Sequence, residues 1–332
     1  MSNYSKETAA VKAVLCETNK LKTKISKADL VNLRGISIAD FIKSQGIKYP
    51  DLISRVELFE DEYYVIFDDT GQFIYSNLPL NVYINLLRYI GISYLDIDFS
   101  SLNDIPRSAF SGNKTLREVT SSFKNIKNLA ATFQNCTTLE KFSGDLSSLE
   151  TVNETFNGCT SLKTFTSTLP NLKDGSGMFF MCKGLQQFST SMPNLVKGIN
   201  MFAGCTGLTS FTSDISKVQI GYQMFNGCGA LTTFTSKLTS LISGNYMFYC
   251  TRLNKSSALT IFNSLKYDNT CTGQEEGASP ILRIGLKASE CLNDPDILNI
   301  LNILDAPISA STTTTTITNK MGTVWTIYIN WA

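Results

Sequence analysis

The sequence predicts an elongated solenoid of α+β character, in which short units stack along one axis between an N-terminal and a C-terminal α+β segment. Three rows of residues predict it. Phe110, Phe133, Phe156, Phe179, Phe202, Phe225 and Phe248 return every 23 residues for seven turns. Leu116, Leu139, Leu162, Leu185, Leu208 and Leu231 keep the same period, as do Cys136, Cys159, Cys182, Cys205 and Cys228. A fixed period in this range marks a unit that cannot bury its apolar face alone and does so by stacking on its neighbours.

Composition narrows the functional classes. The chain has 332 residues, enough for two globular domains or one array with covered ends. Its 29 basic and 28 acidic residues nearly cancel, so nothing drives it as a whole toward nucleic acid or an anionic membrane. No histidine is present, which removes histidine-based triads and most zinc sites. The stretch 1–10 is polar and has no apolar core, so no secretory signal is expected. No run approaches the ~18 apolar residues that span a bilayer. The expectation is a protein folded in a cytoplasm, with reduced thiols. Of the nine cysteines, six follow the repeat or nearly so. Equivalent positions one strand spacing apart, about 4.8 Å, are within reach of a disulfide. These cysteines are read instead as small buried hydrophobes filling a turn. No Cys-x-x-Cys pair supports a metal site.

Four segments follow. Residues 1–28 carry a helical pattern over 5–28, with Val11, Val14, Thr18, Leu21 and Ile25 at heptad seam positions and lysines outside the seam. The pattern suits a short parallel bundle of two or three chains, and equally an amphipathic helix docked on its own domain or on another protein. Residues 29–92 predict a small α+β cap. Glu62 to Asp68 and Gln72 to Ser76 read as a hairpin about Asp69, Thr70 and Gly71, and Leu78 to Ile90 as a helix ended by Gly91. The acidic cluster Glu57, Glu60, Asp61 and Glu62 reads as a solvated face. Residues 93–254 are the array. Residues 255–332 predict a second α+β cap. In it, helices run over 256–266 and from Asp294-Pro295, whose Asp and Pro suit the N-cap and first helical places, and strands over 281–286, 312–318 and 324–330.

Within one unit, Leu162, Phe165 and Ser167 mark a strand, and Leu169 and Leu172 carry the chain onward. Gly175, Gly198, Gly221 and Gly244 recur four residues before each later Phe, which asks for positive φ or close approach there. The run Met201-Phe202-Ala203-Gly204-Cys205-Thr206-Gly207-Leu208-Thr209-Ser210-Phe211 resembles the BspA-type leucine-rich repeat: an aromatic, two residues, cysteine, two residues, leucine, then a strand. The resemblance covers about residues 93–254. Asn113 stands where the first unit should have cysteine, and Phe248-Tyr249-Cys250 has one residue too few. The family implies a leucine-rich repeat solenoid, and its members are mostly surface proteins that bind host proteins or other cells. The order of elements in the C-terminal third is similar to the closing cap of repeat proteins carried by phages of gut bacteria. There a helical N-terminal segment fixes the protein to the virion.

No phosphate loop, metalloprotease helix or nucleophile elbow is present, so neither an enzyme, a metal nor a cofactor is expected. Asp96 and Asp98 alternate as on a strand, an arrangement usually just solvated. The candidate binding face is the strand face. Ser143, Thr166, Ser189, Thr212 and Thr235 follow the strand aromatic and form a hydroxyl row. Lys163, Gln186, Thr209 and Thr232 lie beside it. Solenoid strand faces commonly bind, and hydroxyls suit sugars or peptide backbone. Thr and Ser also simply suit an exposed pleated surface. The expectation is a non-enzymatic virion-associated structural or adhesion protein. It would be a homo-oligomer that meets other virion proteins through its N-terminal segment and a host glycan or protein through its repeats. The alternative is a cellular interaction scaffold or surface adhesin of a bacterium or protist.

Overall fold

The computed structural model describes residues 53–59, 62–67, 72–75, 94–95, 99–100, 103–265, 281–301, 312–318 and 324–332. The seam positions Val11, Val14, Thr18, Leu21 and Ile25, the helix expected over 78–90, and Asp96 and Asp98 lie outside these. Near the N-terminus an antiparallel sheet runs in the order β1 (Ile53–Phe59), β2 (Glu62–Phe67), β3 (Gln72–Tyr75). The β2–β3 pair is the expected hairpin. The first strand was not among the predicted elements; it takes Glu57, read from the sequence as part of a solvated acidic cluster, into a strand.

From β4 (Tyr94–Leu95) the chain becomes a coil of short units. Its strands are β5 (Glu118–Val119), β6 (Lys141–Phe142), β7 (Thr164–Phe165), β8 (Gln187–Phe188), β9 (Ser210–Phe211) and β10 (Thr233–Phe234). Each is two residues long, because the strand need only carry one inward apolar side chain, Leu95 in β4, Val119 in β5 and a phenylalanine from β6 on, before the chain bends. They pair in parallel as β4-β5-β6-β7 and β8-β9-β10. Between β5 and β7, and between β8 and β10, partners are 23 residues apart, as Glu118 with Lys141 and Gln187 with Ser210. Where the two sheets meet, Phe165 and Phe188 stack at 5.9 Å, the widest spacing in that aromatic row. A second ladder of single bridges links Asn128, Thr151, Asp174, Lys197, Ile220 and Ser243 without a break.

Two phenylalanine rows fill the interior. The row from Phe110 to Phe248 is fully buried, and its neighbouring rings stack at 5.2–5.5 Å. The strand row Phe142, Phe165, Phe188, Phe211 and Phe234 meets it edge-on at 4.7–5.7 Å, making a continuous zigzag. Offset and edge contacts add about 0.5–1.5 kcal/mol each beyond the area they bury.

The backbone around the first row is stacked as tightly. Amides of every second residue point along the axis to the next unit: Gln223 to Asn245 O (3.0 Å), Phe225 to Met247 O (2.8 Å) and Gly227 to Tyr249 O (2.9 Å). Aiming alternate amides one way requires the residues two before and two after each Phe to turn left-handed. Ser108, Ala131, Glu154, Gly177, Asn200, Gln223 and Tyr246 form the first such row, at φ 52–65°. Gly112, Asn135, Gly158, Met181, Gly204, Gly227 and Cys250 form the second, at φ 57–75°. A side chain there costs about 1–2 kcal/mol, which the axial hydrogen bonds offset. The glycines singled out from the sequence are different ones, and it is close approach that selects them. A Cβ on Gly198 would stand 2.8 Å from Met224 Sδ, and Gly175 and Gly221 likewise face Met201 and Met247.

The cysteine row has a specific task. Each thiol donates to the carbonyl of the preceding unit's Phe, as Cys205 Sγ to Phe179 O (3.1 Å) and Cys228 Sγ to Phe202 O (3.1 Å). The array thiols are buried and unbridged. In the first unit Asn113 Oδ1 accepts instead from Thr115 N, Thr115 Oγ1 and Leu116 N, closing the turn locally. In the seventh the phase holds one residue longer than the sequence suggests. Buried Thr251, three residues after Phe248, takes the cysteine slot, and Cys250 faces out. The register slips only beyond it, where Asn254 N reaches Thr232 O.

The last turn is drawn out as β11 (Gly244–Leu253), onto which the C-terminal sheet is built in the order β11, β12 (Ile281–Leu286), β14 (Val324–Trp331), β13 (Thr312–Thr318). Gly285 is required there, since a Cβ would meet Thr251 O at 2.2 Å. Helix α1 (Lys255–Ser264) starts at Asn254, whose side chain accepts from Ser257 N, and buries Ala258, Ile261 and Phe262 on the array's end. Two short helices, α2 (Ala288–Cys291) and α3 (Pro295–Leu301), follow β12. Asp294 caps α3 by accepting from Asp296 N and Ile297 N, as the Asp-Pro order predicts.

Three outcomes are expected from this packing. Phe202→Ala in the middle of the stack should cost about 3–5 kcal/mol in urea unfolding, and a near-neutral value would contradict its place in the spine. Gln223→Gly should stabilise by up to about 1 kcal/mol by relieving left-handed strain, visible as a higher urea midpoint. Burial disfavours the thiolate and lifts Cys205 from 9.0 to about 12, with Cys159, Cys182 and Cys228 raised for the same first cause. The stability tied to these thiols is therefore complete below pH 9 and is lost as pH climbs toward 12. Peptide-mapped alkylation at pH 8 should modify the exposed Cys250 and leave the buried array thiols untouched until denaturant is added.

Candidate recognition surface

The strand segment alternates with period two, and this alternation sets the surface. In the fourth unit Thr164, Thr166 and Thr168 are exposed while Phe165, Ser167 and Leu169 are buried. Ser143, Thr166, Ser189, Thr212 and Thr235 are all exposed on the same outward position of successive units. The amides of Ser143, Thr166, Thr212 and Thr235 stack on the preceding unit, as Thr166 N to Phe142 O (3.0 Å) and Thr212 N to Phe188 O (2.9 Å); Ser189 follows the break between β7 and β8. Their hydroxyls have no partner among the described residues. The inward neighbours Ser167, Thr190, Ser213 and Ser236 are buried, and Ser167 reaches Gly144 O at 2.5 Å.

The four flanking candidates fare differently. Thr209 and Thr232 direct their hydroxyls to Gln186 O (3.0 Å) and Thr209 O (3.4 Å), so those donors are used within the array. Lys163 is exposed and ion-paired to Glu140, and Gln186 is exposed. Asp145, Thr168, Ser191, Asp214 and Lys237 form a further outward row that the sequence reading passed over. The period-two alternation beyond each strand aromatic was the signal that could have found it.

Charge is distributed unevenly along the axis. At the N-terminal end Glu140 lies between Arg117 (2.9 Å) and Lys163 (3.0 Å), and Glu118 lies near Lys141. The Lys163 ammonium, then Arg117, hold the Glu140 carboxyl below its ordinary range. Glu150 is likewise lowered, by Lys173 first and Lys127 second, on the turn side. These pairs are exposed and contribute little stability. Further along, the strand face is uncharged at Gln186, Gln187, Thr209, Ser210, Thr232 and Thr233. The turn side becomes apolar at Val196, Ile220 and Ile242.

Aromatic side chains do reach the surface, on the turn side. Tyr222, Tyr246 and Tyr249 form an edge-to-face series at 6.4 and 5.5 Å, beside Arg283 and Tyr328 of the C-terminal sheet. Their spread over two segments 34 or more residues apart hid this cluster from sequence reading. The depressions on the described surface are shallow. One of about 450 Å³ lies between Lys237 and Thr239 and helix α1, and one of about 240 Å³ surrounds Phe180, Asn157 and Glu154. Among the described residues no group of three or more Cys, Asp or Glu side chains is placed to hold a metal ion, and no helix is long and apolar enough to cross a membrane.

Parallel two-residue strands, a turn closed by a buried aromatic and cysteine, and a leucine before each strand define a leucine-rich repeat protein. The family model for the BspA type leucine rich repeat region matches in six copies over residues 85–201 and 175–270, more than half of the chain, and the chain belongs to that family. Among solved structures it is similar to a leucine rich cell surface protein from Faecalibacterium prausnitzii A2-165, at 14% identity and a TM-score of 0.36. That match covers 81% of this chain and 60% of the other. A second is the leucine-rich repeat domain of the type III effector XopL, at 14% identity and a TM-score of 0.21, covering 56% of this chain and 80% of that one. No curated protein matches the chain.

Proposed function

We propose that this chain is a non-enzymatic adhesion protein of a phage virion, whose repeats form a rigid mount for an outward recognition surface. The observation that carries the reading is the exposed row Ser143, Thr166, Ser189, Thr212 and Thr235, five hydroxyls without a partner among the described residues, four of them on amides bonded to the preceding unit. Each offers a donor and two acceptors. Because the backbone beneath them is ordered by two ladders, one on each side of the β7–β8 break, a ligand lying along the axis would meet them at a repeat of about 4.8 Å within each without first ordering the surface. A glycan or an extended protein segment of the host cell suits such a row. In this reading the C-terminal helices and sheet cap the array, which needs a cover where its stacking ends. Residues 5–28 would fix the protein to other virion components or join two or three copies.

Purified full-length protein should bind intact bacterial cells. The triple substitution Thr166→Lys, Ser189→Lys and Thr212→Lys should weaken that binding roughly tenfold or more while leaving thermal unfolding within a few degrees, since exposed substitutions usually shift stability by about 0.5 kcal/mol or less. Undiminished binding by the triple variant would remove the strand face from the reading. Capture of one cytosolic partner, with no cell binding, would replace the adhesin by a scaffold.

A further inference from the structure

We propose that the turn side of the seventh unit, with Arg283 at its centre, binds a carboxylate-bearing sugar. Arg283 lies on β12, which is paired on one side to β11 and on the other to β14, so its backbone is fixed from both sides. Its guanidinium carbon lies 4.5 Å from the centre of the Tyr246 ring and 4.1 Å from that of Tyr328. Its Nε donates to Asn245 Oδ1 at 3.1 Å. These three contacts hold the planar group in one orientation. Among the described residues the terminal amino groups of Arg283 have no partner and no carboxylate is ion-paired to it. A half-buried, immobilised and un-neutralised guanidinium is a fork already shaped for a carboxylate.

The surroundings choose among carboxylates. Tyr249, at 39% exposed, meets Tyr246 edge to face at 5.5 Å, and Tyr222 continues the series at 6.4 Å. The Tyr222, Tyr246 and Tyr249 hydroxyls have no partner among the described residues. Rings that can take the C–H face of a pyranose therefore stand beside the fork, with hydroxyls and Asn245 within the same patch for its O–H groups. An acidic peptide fits less well. Peptides commonly dock by adding a strand to an open edge, whereas Arg283 is on an interior strand that lies between β11 and β14. This surface is built from the turn segment and the C-terminal sheet, so it does not depend on whether the strand face binds anything.

The test is calorimetric titration of the full chain with tetragalacturonate and with sialyllactose, beside methyl-esterified tetragalacturonate and a tetraglutamate peptide. At least one acidic saccharide should bind, more weakly as salt is raised, and the neutral ester should bind roughly tenfold or more weakly. Arg283→Gln should lose a similar factor, Arg283→Lys should keep part of the affinity as a point charge without the fork, and Tyr249→Ala should weaken binding several-fold. Should Arg283→Gln fail to fold, by circular dichroism and thermal unfolding, the exposed Tyr249 carries the same test. The proposal is overturned if neither acidic saccharide binds, if the ester or the peptide binds as tightly, or if folded Arg283→Gln and Tyr249→Ala both bind like the parent. In that last case the guanidinium only braces the sheet.

Discussion

The contact between one unit and the next along the axis governs this molecule. It has two parts, a phenylalanine ring lying on a phenylalanine ring at 5.2–5.5 Å, and a backbone amide reaching the next unit's carbonyl at 2.7–3.4 Å. Neither is available to a single unit, which has no buried face of its own. Their joint rise has to agree with the spacing of parallel strands, roughly 4.8 Å, and ring tilt takes up the difference. An insertion in the middle would break every ladder at once, which is why the period holds from Phe110 to Thr251. It fails only where β12 takes over as the neighbour.

Several local oddities follow from that constraint. Seven residues in each of two rows sit at left-handed φ although most have side chains, because only that backbone turns alternate amides toward the next unit. Cysteine recurs because the slot beneath each Phe carbonyl is small, apolar and in need of one donor. Asparagine at 113 and threonine at 251 fill the same slot at the two ends, where the neighbour on one side is different. Glycine 198 is set by the bulk of Met224 rather than by its own φ. In the earlier units the trade is reversed, as with Leu129 and Thr155, whose hydroxyl donates to Leu129 O at 2.8 Å.

Because the stack takes its stability from the inside, outward positions are free to differ from unit to unit. They do so in a graded way. Ion pairs centred on Glu140 and Glu150 occupy the early units, hydroxyls and carboxamides the later strand face, and aliphatic and aromatic side chains the later turn side. A single scaffold thus carries two chemically unlike surfaces, a polar hydroxyl row and an aromatic patch around one cation.

The inward rows of Phe, Leu and Cys were legible in the sequence because each repeats at one interval and one interval maps onto one buried place. The Asp294-Pro295 helix start and the strands at 281–286 and 312–318 were legible for a related reason, since caps and alternation act within a few residues. The hydroxyl row was also visible, but not that Thr209 and Thr232 turn their hydroxyls back onto the array. The left-handed rows, the Gly198–Met224 packing and the meeting of Arg283 with Tyr246 and Tyr328 belonged to the tertiary structure alone. Each depends on groups brought together across units or segments by stacking, and distance in space is not encoded by any local pattern of residues.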